Sequence, residues 1–217
     1  MFFVALVTYT LTVEPTASFW DCGEFIACAF KLQVPHPAGA PFFLLLGRIA
    51  SLFAFGDVTK VALMVNMISV FASAFTILFL FWTITLLGRK FYNKTGEELS
   101  QLETLAVVLS GLVGSLAYTF SDSFWFSAVE AEVYGLSSFF TAIVVWAAFQ
   151  WETIEDESAA NRWLIFINRS LHCACKMIHP LPTFARTVVA VATLLAAVSA
   201  AQAQGVTGSA EAGQKKA

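Results

Sequence analysis

Asp21 and Glu24 stand one helical turn apart in the string Thr16-Ala17-Ser18-Phe19-Trp20-Asp21-Cys22-Gly23-Glu24-Phe25. On a helix over about Phe19–Leu32, Asp21, Glu24, Cys28 and Lys31 share one face, and Phe19, Cys22, Ile26, Ala29 and Phe30 form the other. Two carboxylates one turn apart at a membrane surface can accept a proton and hold a cation. The same string has a second reading. Ser18-x-x-Asp21 fits a capping box, in which the acid only satisfies a backbone N–H, and Glu24 is then a solvated face residue. Twelve residues on, Pro35-His36-Pro37 fixes the backbone on both sides of one imidazole, either to present it or as a simple turn into a helix starting at Pro41.

Glu130 and Glu132 form the second acidic string, in Phe126-Ser127-Ala128-Val129-Glu130-Ala131-Glu132-Val133-Tyr134, at the start of an otherwise apolar helix. Acids inside an apolar span are costly and read as functional by default. A helix N-terminus offsets part of that cost. Residues i and i+2 of a helix point about 200° apart. Both Glu therefore serve one site only if the first turn is unwound; otherwise one works and the other packs elsewhere. A third cluster, His172, Cys173, Cys175 and His179, has metal-binding residue types but lacks the usual C-x₂-C spacing, and no metal ligands are assigned there.

The elements that must position these groups are membrane spans. Hydrophobic residues make up 58% of the 217 and charged residues 12%, and mean hydropathy is +0.74. Soluble domains carry about 25% charged residues, so this chain cannot cover a water-facing surface. A net charge of −3 without a basic stripe excludes nucleic acid as a partner. Four Cys are too few and too uneven for a disulfide framework. A span needs about 20 apolar residues. Val61–Leu87 qualifies, with Asn66 its one strongly polar interruption, followed by Leu105–Phe120 and Phe126–Trp151. Met1–Val13 reads as the second half of a span whose beginning is missing. Pro41–Phe55 is short and carries Arg48, whose insertion costs about 2.5–3.5 kcal/mol, so it is read as an interfacial helix. The fold class expected is all-α: a multi-span membrane helical bundle with interfacial helices in the first outside loop. Arg89, Lys90 and Lys94 assign their loop to the cytoplasm. Asp21, Glu24, His36, Glu130 and Glu132 then all fall on the outer face.

At these residues the chain resembles a known family. Glu14-Pro15-Thr16-Ala17-Ser18-Phe19-Trp20-Asp21-Cys22-Gly23-Glu24-Phe25, then His36-Pro37-Ala38-Gly39-Ala40-Pro41, then Ala131-Glu132-Val133-Tyr134-Gly135-Leu136 resemble the domain of unknown function 2723 family. That family is related to protein O-mannosyltransferases and similar to GT-C glycosyltransferases. The resemblance runs over about 2–167 and implies a GT-C-like membrane enzyme, here as a fragment. Such an enzyme moves a sugar from a polyprenyl-phosphate donor to an acceptor protein or glycan at the outer face of a bacterial inner membrane. It further implies Asp21, Glu24 and Glu132 as catalytic residues, with Asp21 the leading acid and Glu132 a better match than Glu130. His36, Glu130 and Tyr134 are implied to line the substrate site. The lipid bilayer, the polyprenyl-phosphate sugar and the acceptor are the expected partners. The cofactor is left unknown, with a divalent metal possible. The competing reading is a non-enzymatic membrane protein, a transporter fragment or an assembly partner. A transporter would hold its acids at mid-membrane, between broken helices.

Beyond 167 the composition turns from Phe-rich to Ala-rich. Residues 168–217 read as an unrelated tail, with a signal-peptide-like hydrophobic helix at 187–203 and a polar end; the alternative is a genuine weak last span.

Overall fold

The computed structural model describes residues 1–36, 40–92, 98–154 and 156–177. Eight α-helices cover most of them: α1 (Phe2–Thr12), α2 (Cys22–Lys31), α3 (Pro41–Leu52), α4 (Val61–Tyr92), α5 (Gln101–Thr119), α6 (Asp122–Val129), α7 (Val133–Trp151) and α8 (Glu157–Met177). Among the described residues there is no strand, and the chain is an all-α membrane bundle. Three of these helical segments are long and apolar enough to cross a membrane: Val58–Tyr92, Gln101–Thr119 and Val133–Trp151. Helices α1 and α3 are apolar but shorter.

The organising element is α4. At about 1.5 Å per residue it is about 48 Å long, so it outreaches the hydrocarbon at one end or both. Small side chains at Ser69, Ala72, Ser73 and Ala74 are buried along it. In lipid, where apolar burial gives helices no reason to associate, such residues let neighbours approach closely. Helix α5 answers with Gly111, Gly114 and Ser115. A Cβ on Gly111 would stand 2.6 Å from Thr85 Cγ2, and one on Gly114 would stand 2.7 Å from Ile84 Cδ1. Helix α7 answers with Gly135, whose added Cβ would lie 3.1 Å from Ser73 Oγ.

These contacts fix the directions. Ser69 Oγ donates to the Glu132 carbonyl at 3.4 Å near the starts of α4 and α7. Lys90 reaches Glu152 at 2.6 Å near their ends. Helices α4 and α7 therefore run the same way, and α5, which lies between them in sequence, runs back along α4. The two hydrophobic clusters both sit against the first half of α4. One joins α2 and α3 to Val61, Val65 and Ala72. The other joins α1 and α6 to Val70, Ala74 and Ile77.

Two expectations need correction. The span expected at Phe126–Trp151 is two helices: α6 ends at Val129, Glu130 and Glu132 are extended, and α7 starts at Val133. The helix expected from Phe19 begins at Cys22, because the backbone at Trp20 takes φ 66° and turns the chain just before it. Cys28, four residues after the exposed Glu24 on α2, is buried with Cys22, Phe25, Ile26 and Ala29 in the core. Phe19 is exposed. The helix expected at 187–203, Lys94 and His179 lie outside the described residues, as do the side chains of His172, Cys173 and Cys175.

Candidate active site at one end of the bundle

The first loop is tied down by a residue of α4. Asn66 is fully buried, and its Nδ2 donates to the carbonyls of Glu14 at 2.6 Å and Thr16 at 3.0 Å. Cys22 Sγ donates to Asn66 Oδ1 at 3.8 Å. A side-chain amide inside an apolar helix is expensive unless its hydrogen bonds are made, and here the loop makes them. The Glu14 amide donates to Val129 O at 3.1 Å, joining the loop to the end of α6. Asn66 was visible in the sequence only as a polar interruption. A lone Asn in an apolar span is the signal that could have marked it.

So anchored, the loop delivers Asp21 to the start of α2. The capping alternative does not hold: Asp21 occupies the N-cap but makes no side-chain cap bond, and Ser18 Oγ is buried without a partner. At the other end of α2, Leu32 takes the left-handed conformation (φ 53°) and its N–H returns to Ala29 O. Gln33 N closes on Cys28 O at 2.9 Å. This reversal carries the chain back so that His36 meets Glu24. The His36 amide donates to Glu24 Oε1 at 2.7 Å, and its Nδ1 lies 2.9 Å from Glu24 Oε2. Both Glu24 oxygens are used to hold one residue. His36 Nε2 faces Asp21 Oδ2 at 3.9 Å, too long for a hydrogen bond. The hydrogen bonds from His36 hold the Glu24 carboxyl below its ordinary range. The bond to Glu24, with the nearby charges of Glu24, Asp21 and Glu132, raises the His36 imidazole. Arg48 anchors the end of α2: its Nη1 donates to Phe30 O at 2.8 Å, and the guanidinium lies 5.4 Å from the Phe30 ring centre.

The second acidic string resolves the problem of i and i+2 by unwinding. Glu130 and Glu132 both have φ −124° with ψ near 150° (155° and 149°). Glu130 is 6% exposed and Glu132 8%. Glu130 Oε2 has no hydrogen-bond partner. Burial pushes the Glu132 carboxyl up to about 7, and the negative charges of Asp21 and Glu130 add to it. The Val133 N–H and His36 oppose the shift without cancelling it. Asp21, Glu24, His36, Glu130 and Glu132 thus form one electrostatically linked group beside the starts of α4 and α7. Tyr134 lies on the first turn of α7, about half exposed. Phe19 and Trp20, both more than four-fifths exposed, flank Asp21. Aromatic rings in such positions suit the membrane–water interface.

Asp21, Glu24 and His36 each offer a donor atom, and these lie within 4.8 Å of one another. A buried carboxylate near neutrality can take a proton, and an imidazole held between two carboxylates can meet a phosphate or a cation. A cleft of about 310 Å³ lies further along the bundle, away from the acids, lined by Thr76, Thr83, Tyr118, Ser137 and Thr141 among others.

Residues 21–174 match a family model described as protein O-mannosyl-transferase TMEM260 N-terminal domain. Among curated proteins, the chain is 25% identical over 145 residues to protein O-mannosyl-transferase tmem260 of Dictyostelium discoideum, covering 67% of this chain and 16% of that one. It is 27% identical over 170 residues to protein O-mannosyl-transferase TMEM260 of Mus musculus, covering 78% of this chain and 21% of that one. The chain therefore spans about a fifth, or less, of the length of these relatives. No solved structure matches it.

Proposed function

We propose, from the premise that the chain belongs to the protein O-mannosyl-transferase TMEM260 N-terminal domain family, that it is the acid-bearing membrane portion of a glycosyltransferase. The reaction is transfer of a sugar, with mannose the leading candidate, from a polyprenyl-phosphate donor to a hydroxyl of a protein. The finer grouping with the domain of unknown function 2723 family, the bacterial inner membrane and the outer face belong to the same proposal. The outer face is supported by Arg89 and Lys90 at the opposite end of α4.

The observation that carries the reading is Glu132, a carboxyl more than nine-tenths buried and pushed up to about 7 beside Asp21. A general base works best with a pKa near the operating pH. We assign proton acceptance from the acceptor hydroxyl to the Asp21–Glu132 pair. As the acceptor oxygen bonds to the anomeric carbon, the bond from that carbon to the donor's phosphate oxygen breaks. The polyprenyl phosphate leaves with the electron pair, and the pair keeps the hydroxyl proton. Glu24 positions His36 to face the phosphate, and Tyr134 and Glu130 border the acceptor. Acids at the ends of α4 and α7 suit a donor whose phosphate lies at headgroup level. They do not suit a transporter, which needs them at mid-span.

The test is transfer of radiolabelled mannose from polyprenyl-phosphate mannose to a Ser/Thr peptide by matched membranes. Glu132→Gln and Asp21→Asn should each lose about 10²–10⁴-fold in rate, the range for a lost general base. Both changes keep side-chain volume and remove the charge and the ability to accept the proton. Rates for both variants within threefold of the parent chain would reject the assignment.

A further inference from the structure

We propose that Arg162 and the aromatic cleft beside it, between α7 and α8, form a site for one anionic phospholipid, at the end of the bundle away from the acids. Helix α8 turns back along α7, so that Trp163 meets Trp146 with ring centres 5.6 Å apart. Trp146 in turn packs on Phe79 and Trp82 of α4, at 5.2 and 5.7 Å, and Phe166 lies 5.9 Å from Trp163. These rings leave a shallow cleft of about 260 Å³, lined by Trp146, Ala159, Arg162, Trp163 and Phe166. Trp146 stands five residues before the end of α7, which is about 7.5 Å along the helix. The cleft therefore belongs to the last turns of a span. Tryptophan gathers at that level, where a phospholipid has its headgroup and the top of its chains.

Arg162 decides the kind of lipid. Its Nη1 donates to Ser158 Oγ at 3.3 Å, one turn earlier in α8. The guanidinium is thereby turned toward the start of the helix, the polar end of the span, while its stem stays on the cleft wall. Long basic side chains do this where their stems lie on apolar surface. Among the described residues Arg162 makes no ion pair. Asp156 feels its charge but spends both oxygens on Ser158 and Ala159, and Glu152 is held by Lys90. A guanidinium offers five N–H donors in a fork that fits phosphate oxygens, and basic pockets beside spans hold anionic headgroups. A cation at the mouth of an apolar cleft selects a molecule with phosphate at one end and a chain at the other. The phosphate lies on Arg162, and the upper part of one acyl chain lies against Trp146, Trp163 and Phe166. This site does not depend on the transferase reading.

The test adds phosphatidylglycerol or phosphatidylcholine with the same acyl chains to the 217-residue chain in detergent micelles. Retained lipid is counted by native mass spectrometry. The unmutated chain should keep one phosphatidylglycerol and prefer it over phosphatidylcholine about fivefold, the effect of about one basic residue near an anionic surface. Arg162→Gln should remove that preference. Trp163→Ala should weaken retention of both lipids, because it removes a wall that both chains use. Arg169→Gln makes the same change of charge on the same exposed side of α8 but two turns from the cleft, and should leave the preference as it was. Inorganic phosphate at the same concentration should not displace the lipid. Equal retention of the two lipids by the unmutated chain overturns the proposal without recourse to any variant. Retention of neither overturns it too and leaves the cleft to a helix of a partner protein. So does displacement by inorganic phosphate, which would make the site one for the ion alone. So, finally, does an Arg169→Gln chain that loses the preference as fully as Arg162→Gln, since net charge would then account for it.

Discussion

At the far end of α4, Lys90 meets Glu152 at 2.6 Å and lies 5.7 Å from the Phe149 ring centre. Nearby, Ser100 and Glu103 close a reciprocal capping box at the start of α5, and Asp156 accepts the N–H groups of Ser158 and Ala159 before α8. At the near end the acids behave differently. Asp21 caps nothing, Glu130 has an orphaned oxygen, Glu132 is buried near neutrality, and Glu24 spends both oxygens on His36. The far end uses charge to finish helices and join their ends, and each of these charges has a partner of its own. The near end gathers acids, of which Glu130 keeps an oxygen without a partner among the described residues. The first arrangement finishes helices; the second is the one the proposed reaction would use.

The largest effect expected from this contrast is on catalysis. Glu132→Gln should slow sugar transfer about 10²–10⁴-fold, whereas Glu152→Gln at the far end should leave the rate within threefold. Equal loss from both would show that the two ends do not differ in kind.

The next concerns the anchor. Asn66→Leu removes the donor to two backbone carbonyls and fills its place with an apolar side chain of similar size. Leaving buried acceptors unpaired costs about 1–3 kcal/mol, read as a fall in denaturant midpoint. The loop should also loosen, so protease or cysteine-labelling access at Ser18 should rise. Unchanged access at Ser18 would detach Asn66 from the near end's organisation.

Much of this architecture could be read in the sequence. The α4 and α5 spans follow from apolar length, and α3 is short, as its apolar stretch suggested, at Pro41–Leu52. The rule that i and i+2 cannot share a helix face framed Glu130 and Glu132 as an unwound turn or a divided pair. Choosing between these took tertiary contact: Gly135 lets α7 begin against Ser69 and Ser73, and the Glu14 amide takes the carbonyl of Val129. Asn66 was illegible for a similar reason, since its partners lie 52 and 50 residues away. The start of α2 was illegible because the turn at Trp20, a non-glycine residue at positive φ, leaves no pattern in sequence, and the burial of Cys28 depends on packing against α3 and α4 that periodicity does not show. Local periodicity identifies elements; it does not say which backbone groups a distant side chain will hold.

Smaller again is the far end's ion pair. Both partners are partly exposed, at 32% for Lys90 and 55% for Glu152. Pairs of this kind typically contribute about 0–1 kcal/mol. A double-mutant cycle with Lys90→Gln and Glu152→Gln should give a coupling in that range, and raising salt should reduce it. A coupling of several kcal/mol would mean that the far end, too, holds a desolvated charge.

The smallest effect should come from Asp156, and its sign follows from linkage. Hydrogen bonds from the Ala159 amide and from Ser158 lower its carboxyl below the ordinary value of 3.8. A carboxyl lowered on folding binds its proton less well in the folded state. Its contribution is therefore complete above 3.8, and it fades as the pH falls through 3.8 and then through the folded value. The group is fully solvated, so the loss should be local. It should appear as faster amide exchange at Ala159, after correction for the intrinsic rate, with no change at Val144 in α7. Asn caps a helix about as well as Asp but does not titrate. Asp156→Asn should therefore keep the protection of Ala159 near neutrality and abolish its decline in acid. If the decline survives that substitution, acid is opening α8 through some other group, and the far end's charges are not the separate, locally satisfied caps that set it apart from the cluster around Asp21 and Glu132.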